Sequence, residues 1–241
     1  MNKLKIIVPF YNAQRFLKQC QESLLAQDFS NWEAILADDC STDDSKAEVI
    51  SEPRITYKRN ESRTTALLNI HTSIMSSGAS DEDIICLLDG DDFLFRKNSL
   101  SIINEMYADN TLLTYGQYIW PNGMTGHCIP YTKESFSRLR NGGYWASHFR
   151  TFKFKLYKEL LKQDPDLYCY KNSNGDFFKT CYDIAIMTPL MEIAGFEKIK
   201  FNPQPVYYYR IHEANDHAVD GLAQKQDEKE LFAKAPFKQV F

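Results

Sequence analysis

The sequence predicts an α/β domain with a mostly parallel, doubly wound sheet flanked by helices. Two observations predict this class. Short apolar, strand-like runs alternate with segments of helical period through the first hundred residues. Polar clusters directly follow three of these strands, which is where ligands bind in open α/β sheets. The second half of the chain has a less regular pattern, and we expect a mixed arrangement there.

The first two strands and the helix between them have the clearest signals. LKIIVPF, which begins at Leu4, is a short β-branched run. Apolar residues at helical spacing follow it, and Asn12 offers an N-cap for that helix. WEAILA, which begins at Trp32, predicts the second strand. In the polar turn after it, Ser41 or Thr42 is able to cap a further short helix.

Strand and helix signals alternate again up to the fourth strand. We expect a third strand at residues 54–60 and a helix at 64–77. IICLLD, at 84–89, predicts a fourth strand whose composition indicates burial on both faces. Four strands joined by helical crossovers make a doubly wound unit.

The second half mixes strand and helix signals. Residues 112–120 are strand-like, and residues 183–195 have helical period, with Pro189 expected to kink or restart the helix. A further strand begins at residue 205 and ends in a polar turn. We expect the charged tail, residues 222–241, to fray or to form an exposed helix.

Composition and charge disfavour several classes of protein. A net charge of −4 and a pI near 5.8 argue against a nucleic-acid-binding protein. No apolar run is long enough to cross a bilayer. The cysteines include no CxxC pair, which argues against zinc ribbons and suits free thiols in a reducing compartment. Because the N-terminus has no signal-peptide pattern, we expect a cytoplasmic protein, with peripheral contact at the cytosolic membrane face as a further option.

An acidic cluster follows the fourth strand. In an extended chain Asp89 and Asp91 project to the same face, Asp92 follows, and Gly90 leaves room for a ligand near the backbone. Carboxylates this close repel one another, so a hard cation such as Mg²⁺ or Mn²⁺ fits, bound together with substrate phosphates. A solvated acidic turn is the alternative. The polar clusters after the first two strands favour the ligand site.

Several other sites are disfavoured by the motifs that the sequence lacks. No GxGxxG follows a strand, and no GxxxxGK[ST] occurs, which argues against dinucleotide and P-loop sites. The HEANDH segment misses the HExxH spacing of zinc proteases, and no GxSxG nucleophile elbow is present.

Four segments together resemble family 2 glycosyltransferases with the GT-A fold. IIVPFYN, SLLAQDFSNWE, ILADDCSTDDS and ICLLDGDD occur in the order and spacing of that family. The resemblance implies a GT-A type, Rossmann-like sheet and transfer of a sugar from a nucleotide diphosphate donor, usually UDP-linked, with inversion at the anomeric carbon. It implies one domain, residues 1–221, with a nucleotide-sugar-binding half at 1–110 and an acceptor-side half at 111–221.

The resemblance also implies which residues contact the donor. Pro9 and Tyr11 would lie against the nucleoside. Asp39 would accept a hydrogen bond from the base, with Asp38 beside it, and Asp89 would hold the ribose end of the donor.

The diphosphate would be bound through a metal ion, Mn²⁺ or Mg²⁺. By resemblance Asp91 would ligate that ion and Asp92 would support it. His212, in YYYRIHEAND, is either a third metal ligand or a surface histidine after a strand. Arg63 either adds positive charge near the diphosphate or belongs to a solvated face, and the solvated face is favoured.

The catalytic base is expected in FFKTCYDIAIMTPLMEIAG, and Asp183 is the candidate. The sequence departs from the family here, because Tyr182 stands where the usual Glu-Asp pair has glutamate. Glu192 and Asp176 therefore remain alternatives.

The acceptor side of the chain leaves more open. His148 and Arg150 are candidate contacts to the acceptor or to phosphate. The sequence leaves a glycan, a lipid-linked molecule and a protein open as the acceptor. Residues 138–162 carry seven Lys or Arg against one acid, which favours a solvated helix face over contact with an anionic acceptor or lipid. A nucleotidyltransferase that uses a nucleoside triphosphate and a non-catalytic nucleotide-sugar-binding protein stay open as alternative functions. The sequence does not indicate an oligomeric state.

Overall fold

A mixed sheet of eight strands runs through the residues that the structure describes. The computed structural model describes residues 2–141, 143–213 and 221–241. The strands are β1 (Leu4–Phe10), β2 (Trp32–Asp38), β3 (Ile55–Arg59), β4 (Ile84–Leu87), β5 (Phe93–Leu94), β6 (Leu113–Ile119), β7 (Arg150–Lys153) and β8 (Ile199–Tyr208). They pair in the order β3-β2-β1-β4-β7-β6-β8-β5.

Helices connect and cover these strands. They are α1 (Gln14–Leu25), α2 (Ala66–Met75), α3 (Ser99–Met106), α4 (Lys133–Phe136), α5 (Phe154–Gln163), α6 (Tyr182–Ala194) and α7 (Gly221–Ala233). Short 3₁₀ segments lie at Ser45–Glu48, Tyr168–Tyr170 and Phe196–Lys198.

The first half of the chain is the predicted parallel unit. β3, β2, β1 and β4 are parallel neighbours, with α1 between β1 and β2 and α2 between β3 and β4. Successive side chains of β1 enter different apolar clusters: Ile6 and Val8 pack with α1 and α3, and Ile7 packs with α2, α5 and α6. Because both faces of the sheet are covered, β1, β2 and β4 are mostly apolar and mostly buried. The predicted fold class is confirmed.

The second half extends the sheet with antiparallel pairs. β7 lies antiparallel between β4 and β6, β8 is parallel to β6, and β5 is antiparallel to β8. β6 was expected from the sequence, whereas β5 and β7 were not. β7 is buried although it contains Arg150 and Lys153, because these cations pair with Asp89 and Glu82.

The capping predictions for the first two loops were wrong. α1 begins at Gln14 without a side-chain cap, and Asn12 has a left-handed φ of 52°. The 3₁₀ segment after β2 begins at Ser45, so neither Ser41 nor Thr42 caps it. These polar side chains bond between the two loops instead, as described below.

Pro189 lies inside one continuous helix. α6 runs from Tyr182 to Ala194 without a restart, and most of its residues after Asp183 are buried. Since α6 is buried, packing against its neighbours outweighs the local cost of a proline within the helix.

The last residues of the chain pack against the domain. α7 is mostly exposed but buries Leu231, whose carbonyl accepts a hydrogen bond from Arg140. The amide of Phe237 donates to Glu192, and the amide of Val240 donates to the carbonyl of Ile193. The segment after α7 is therefore attached to α6.

The basic stretch at 138–162 presents no unpaired cluster of cations. Each of its seven Lys or Arg side chains lies within ion-pair distance of a carboxylate. The pairs are Arg138–Glu134, Arg140–Glu192, Arg150–Asp89, Lys153–Glu82, Lys155–Glu82, Lys158–Asp81 and Lys162–Glu159. Within the described ranges, no helix has both the length and the apolar character needed to cross a membrane.

Candidate active site

The polar residues that follow β1, β2 and β4 meet at one edge of the sheet and line a cavity. The cavity volume is about 480 Å³, within the range of small-molecule sites. It brings together eleven of the twelve favoured site candidates, all except Asp38. They are Pro9, Tyr11, Asp39, Arg63, Asp89, Asp91, Asp92, His148, Arg150, Asp183 and His212.

The loops after β1 and β2 fix each other on one side of this cavity. The side chain of Asn12 accepts hydrogen bonds from the amides of Thr42 and Asp43. In return, Ser45 Oγ accepts from the amide of Ala13 at 2.9 Å, and Asp43 accepts from the amide of Gln14 at 3.0 Å. The first amides of α1 are thus satisfied by the neighbouring loop, which is why α1 needs no cap of its own.

Tyr11, Arg63 and Asp39 form one wall. The Arg63 guanidinium lies 3.4 Å from the centre of the Tyr11 ring, and its NH1 lies 3.4 Å from Asp39 Oδ2. Asp39 Oδ1 accepts from Asn60 and from the amide and hydroxyl of Thr64. Oδ2 is buried and accepts no hydrogen bond from the described residues. Arg63 therefore covers this oxygen, which would reach a ligand only if the guanidinium moved.

Asp38 is not among the residues that line the cavity. It is fully buried and accepts hydrogen bonds from the amide of Ser41, the hydroxyl of Tyr57 and the guanidinium of Arg59. Its contacts hold the end of β2 and the following turn to β3.

Asp89 is the most heavily bonded carboxylate of the site. Its Oδ2 accepts from His148 Nε2 at 3.1 Å and from the Arg150 guanidinium at 2.9 Å, and its Oδ1 accepts from the Tyr182 hydroxyl at 2.7 Å. Burial by itself would raise the pKa of Asp89, but the Arg150 charge and the His148 hydrogen bond outweigh burial and hold the pKa well below its ordinary value. Asp89 is therefore an anion with a 13% exposed side chain and a buried cation beside it.

His148 is held as a neutral ring. Burial, followed by the charge of Arg150, lowers the pKa of His148. Nε2 donates to Asp89, so Nδ1 is free to accept from the Ser147 hydroxyl at 2.8 Å. The ring also packs against Tyr207, with 4.5 Å between the ring centres.

Asp92 lines the cavity but is only 2% exposed, and each of its oxygens accepts a hydrogen bond. Its Oδ2 accepts from the Tyr207 hydroxyl at 2.7 Å and its Oδ1 from the amide of Arg210 at 2.7 Å. Burial, followed by the negative charges of Asp91 and Asp89, raises the pKa of Asp92 well above its ordinary value. Asp92 therefore joins the end of β4 to the segment after β8.

Asp91 and His212 form the more accessible of the two aspartate–histidine pairs in the cavity. Asp91 Oδ2 lies 2.8 Å from His212 Nε2, and the Asp91 carbonyl accepts from Arg210 Nε. The Phe16 ring of α1 packs against the His212 ring at 4.7 Å between centres, and the Arg210 guanidinium lies 4.8 Å from the centre of the same Phe16 ring. The Phe16 ring thus holds His212 and Arg210 against α1.

Two sets of side chains have the donor atoms for a divalent cation. Asp89, Asp92 and His148 have donor atoms within 4.8 Å of one another. In that set, however, Asp89 is already compensated by Arg150 and both Asp92 oxygens accept hydrogen bonds. Asp91 and His212 both line the cavity, and among the described residues Asp91 forms no ion pair with an arginine. The second set fits a cation better.

Asp183 lies in the first turn of α6 and lines the cavity. Its carboxylate is half-buried and makes no hydrogen bond to another described residue. A carboxylate in this state is able to accept a proton from a ligand. The residue before it, Tyr182, donates to Asp89 and thereby links α6 to the acidic cluster.

The two alternative bases lie elsewhere. Glu192 is held in a two-bond ion pair by Arg140, with distances of 2.6 and 2.8 Å, and also accepts from the amide of Phe237. Asp176 is exposed in a turn with Asn172. Neither residue lines the cavity.

Gly90 is required for the packing of β4 against β1. A Cβ at this position would lie 2.6 Å from the Phe10 Cβ and 3.3 Å from the carbonyl of Pro9. The sequence predicted that Gly90 admits a ligand to the backbone. The contacts show that it also lets the end of β4 approach the end of β1.

Three residues that sequence reasoning did not assign hold the cluster together: Tyr182, Tyr207 and Arg210. Their hydroxyls and guanidinium contact Asp89, Asp91 or Asp92 from α6, from β8 and from the segment just after β8. The segment YYYRIHEAND was noted for its histidine alone. No local pattern predicts contacts across more than 90 residues.

The chain matches the family model described as Glycosyl transferase family 2 over residues 5–163. Among curated proteins, it is 29% identical over 140 residues to the Escherichia coli protein named UDP-Glc:alpha-D-GlcNAc-diphosphoundecaprenol beta-1,3-glucosyltransferase WfgD. That alignment covers 56% of this chain and 54% of WfgD, so the chain spans about half the length of this relative.

Solved glycosyltransferases share the fold at low sequence identity. S. aureus TarS 1–349 in complex with UDP-GlcNAc aligns with a TM-score of 0.60 and 17% identity, covering 90% of this chain and 61% of TarS 1–349. The mannosyltransferase PcManGT from Pyrobaculum calidifontis, in complex with GDP-Man and Mn²⁺, aligns with a TM-score of 0.63 and 16% identity. This alignment covers 96% of this chain and 63% of PcManGT.

The sheet order and the position of the cavity at the ends of β1, β2 and β4 are consistent with the family match over residues 5–163. This chain belongs to glycosyl transferase family 2, a family of glycosyltransferase enzymes, and it has the GT-A fold.

Proposed function

We propose that this protein is a metal-dependent, inverting glycosyltransferase that moves a sugar from a UDP-linked donor to an acceptor hydroxyl. One observation carries the proposal. A single cavity is lined by Tyr11 and Asp39 at one wall, by the Asp91–His212 pair, and by Asp183, and Asp39 Oδ2 accepts no hydrogen bond from the described residues. The first group would contact a nucleoside, the second would bind a diphosphate through a metal ion, and Asp183 would accept a proton.

Similar proteins support a nucleotide-sugar donor. The name of WfgD specifies a UDP-Glc donor, TarS has been solved with UDP-GlcNAc, and PcManGT has been solved with GDP-Man and Mn²⁺. Those properties belong to those proteins. For this chain they define the panel of donors to test.

The nucleoside end of the donor would lie at the wall formed by Pro9, Tyr11 and Asp39. Asp39 Oδ2 accepts no hydrogen bond within the described part of the chain, so it is able to accept from an N–H of the base. A base ring would pack on Tyr11, where the Arg63 guanidinium lies in this structure. Donor binding would therefore displace Arg63 toward the phosphates, where its charge is favourable.

The ribose and phosphates would follow toward the acidic cluster. Asp89 Oδ1 accepts one hydrogen bond, from Tyr182, so it keeps capacity for a ribose hydroxyl. Arg150 is almost fully buried, and its Nε has no hydrogen-bond partner among the described residues. This Nε is a donor for a phosphate or acceptor oxygen, and His148 beside it shapes the same part of the cavity.

Asp91 and His212 are the residues that would hold the divalent cation. Asp91 Oδ2 and His212 Nε2 lie 2.8 Å apart and both residues line the cavity, so one small divalent cation would be able to contact both. Carboxylate oxygens suit Mn²⁺ and Mg²⁺. When bound, the cation would neutralise charge on the diphosphate leaving group. Asp92 would support this site from behind through its bonds to Tyr207 and Arg210.

Asp183 would act as the general base. It would accept the proton of the acceptor hydroxyl as the hydroxyl oxygen forms the new bond to the anomeric carbon. The bond from that carbon to the nucleoside diphosphate breaks on the opposite side, which inverts the configuration. A well-placed base contributes ~10²–10⁴-fold to such a step.

The acceptor is defined here only as a hydroxyl compound, whether glycan, lipid-linked or protein. We place the protein in the cytoplasm in this proposal. The ion pairs along residues 138–162 remove the support that an unpaired basic patch would give to membrane contact.

A panel of nucleotide sugars with Mn²⁺ tests the function. We expect one donor class to raise the melting temperature and to be hydrolysed slowly to the nucleoside diphosphate, with both effects lost on addition of EDTA. Release of pyrophosphate from a nucleoside triphosphate would instead indicate a nucleotidyltransferase. Donor binding without any hydrolysis or transfer would indicate a non-catalytic binding protein.

A further inference from the structure

Tyr182 connects the acidic cluster to the helix that carries the proposed base. Its hydroxyl donates to Asp89 Oδ1 at 2.7 Å, across 93 residues of sequence. The next residue is Asp183. One side chain therefore connects the acidic cluster to the first turn of α6. The proposed reaction requires these two parts of the cavity to keep a fixed distance from each other.

The surroundings of Tyr182 favour a fixed hydroxyl. Arg150 lies against the ring, 5.1 Å from its centre, and its NH2 is 3.4 Å from the Tyr182 hydroxyl oxygen. Burial, followed by the negative charge of Asp89, raises the pKa of Tyr182 well above its ordinary value. The hydroxyl therefore remains protonated and donates to Asp89 throughout the range in which proteins are stable.

The first turn of α6 is attached from two sides. On one side Tyr182 reaches Asp89. On the other, the amide and the hydroxyl of Thr180 donate to Asp227 of α7 at 3.2 and 2.7 Å. Between them Cys181 has a left-handed φ of 54°, a conformation that costs energy in a non-glycine residue. This turn therefore depends on side-chain contacts to keep its geometry.

Asp183 has no such contact of its own. Its carboxylate makes no hydrogen bond to another described residue, so its position follows the backbone of the turn. A shift of that turn would move the carboxylate relative to the bound donor. Misplacement of a reacting group by about 1 Å costs on the order of 10²-fold in rate.

We propose that Tyr182 is a positioning residue that sets the place of Asp183 relative to the donor by tying the first turn of α6 to Asp89. This inference deepens the proposed function and rests on it. Tyr182 acts here through Asp183 and takes no part in the proton transfer.

The test compares Tyr182→Phe with Asp183→Asn and with the double variant. The assay is Mn²⁺-dependent hydrolysis of the donor that the panel identifies, together with the affinity for UDP and Mn²⁺ by calorimetry. We expect Tyr182→Phe to lower kcat roughly 10–100-fold while the Kd for UDP changes less than about threefold. The double variant should be no slower than Asp183→Asn alone, because Tyr182 acts through the group already removed.

Tyr207→Phe is the matched control. It also removes a hydroxyl next to Asp89, but Tyr207 lies on β8 and bonds to Asp92 rather than holding α6. Its effect should multiply with that of Asp183→Asn. If the effects of Tyr182→Phe and Asp183→Asn multiply as well, or if Tyr182→Phe weakens UDP binding without changing kcat, the positioning role is wrong.

Hydrogen exchange gives a second readout that does not depend on turnover. In Tyr182→Phe, the amides of the first turn of α6 should exchange faster, whereas Tyr207→Phe should leave them unchanged. Unchanged exchange in a folded Tyr182→Phe protein overturns the proposal. Failure of the wild-type protein to hydrolyse any nucleotide sugar would instead overturn the proposed function, and the exchange experiment would still decide whether Tyr182 holds the turn.

Discussion

Asp91 Oδ2 and His212 Nε2 lie 2.8 Å apart, although 121 residues separate them in the sequence. The pairing of two strands explains this distance. β5 begins two residues after Asp91, and its Phe93 pairs antiparallel with Tyr208 at the end of β8. The residues just before β5 and just after β8 must therefore meet. A two-residue strand thus assembles the proposed metal site.

Removing either member of this pair should abolish metal-dependent binding of the donor nucleotide. We expect Asp91→Asn and His212→Ala each to weaken UDP binding in the presence of Mn²⁺ by roughly 10–100-fold or more. Binding measured with EDTA should change little, because the contacts of the base remain. Titration calorimetry of UDP, with and without Mn²⁺, measures both quantities.

Glu213→Gln is the control for general loss of negative charge. Glu213 also lines the cavity, but its partner is the exposed Arg15. It should retain Mn²⁺-dependent binding. Equal losses in all three variants would indicate an electrostatic effect of the whole rim rather than ligation by Asp91 and His212.

Asp183→Asn should remove most turnover and leave donor binding intact. The amide keeps the size of the side chain but cannot accept the proton, so kcat should fall by ~10²–10⁴-fold. The Kd for UDP should stay within about threefold of the wild-type value. Steady-state kinetics and calorimetry on the same preparation check this, and wild-type kcat in the variant would eliminate Asp183 as the base.

Glu192→Gln is the matched variant for the alternative base. Glu192 is nearly buried and bonded by Arg140 through both oxygens, so weakening this pair should cost stability, roughly 3–5 kcal/mol if the pair is broken. The kcat of the folded variant should remain near wild type. Chemical denaturation and kinetics separate the two effects. A folded Glu192→Gln enzyme without turnover would reverse the assignment.

The parallel half of the fold was predictable because its signals are local. Each of β1, β2 and β4 is a mostly apolar run. The residues that follow them, such as Tyr11, Asp39 and Asp89, were placed correctly at one edge by the general geometry of parallel sheets. Their specific roles remain predictions that the variants above test.

The rest of the site depends on contacts that no local pattern encodes. β7 was not predicted as a buried strand because it contains Arg150 and Lys153. Their partners, Asp89 and Glu82, are distant in the sequence. Likewise Asn12 has the composition of an N-cap, but the neighbouring loop satisfies the first amides of α1. In both cases tertiary partners outweigh local preference.

Gly90→Ala should destabilise the protein although it adds one methyl group. The new Cβ would lie 2.6 Å from the Phe10 Cβ, on backbone held by the pairing of β1 and β4. Overpacking of this kind costs about 1–3 kcal/mol. Gly221→Ala is the control, because a Cβ there meets nothing within 4 Å. Equal midpoints of thermal unfolding in the two variants would contradict the close approach of β4 to β1.

His71 should make the stability of the protein fall on mild acidification. Burial lowers the pKa of His71 from its ordinary value of 6.5, and its Nδ1 lies 2.8 Å from the Tyr157 hydroxyl. Burial also raises the pKa of Tyr157, so the hydroxyl donates to a neutral imidazole. Protonation of the ring would remove this acceptor.

The direction follows from the protons bound by each state. Between the lowered folded pKa and 6.5, the unfolded chain binds more protons at His71 than the folded protein does. The contribution of His71 to the free energy of unfolding is therefore complete above pH 6.5. It declines as the pH falls from 6.5 toward the pKa of His71 in the folded protein. His148 shifts in the same direction, so the wild-type protein has at least two such contributions. We expect His71→Gln to lose less melting temperature than the wild type between about pH 7.5 and about pH 5.5. Melting curves of both proteins at the two pH values measure this. An equal decrease in melting temperature in the variant and the wild type would mean that protonation of His71 does not destabilise the folded protein.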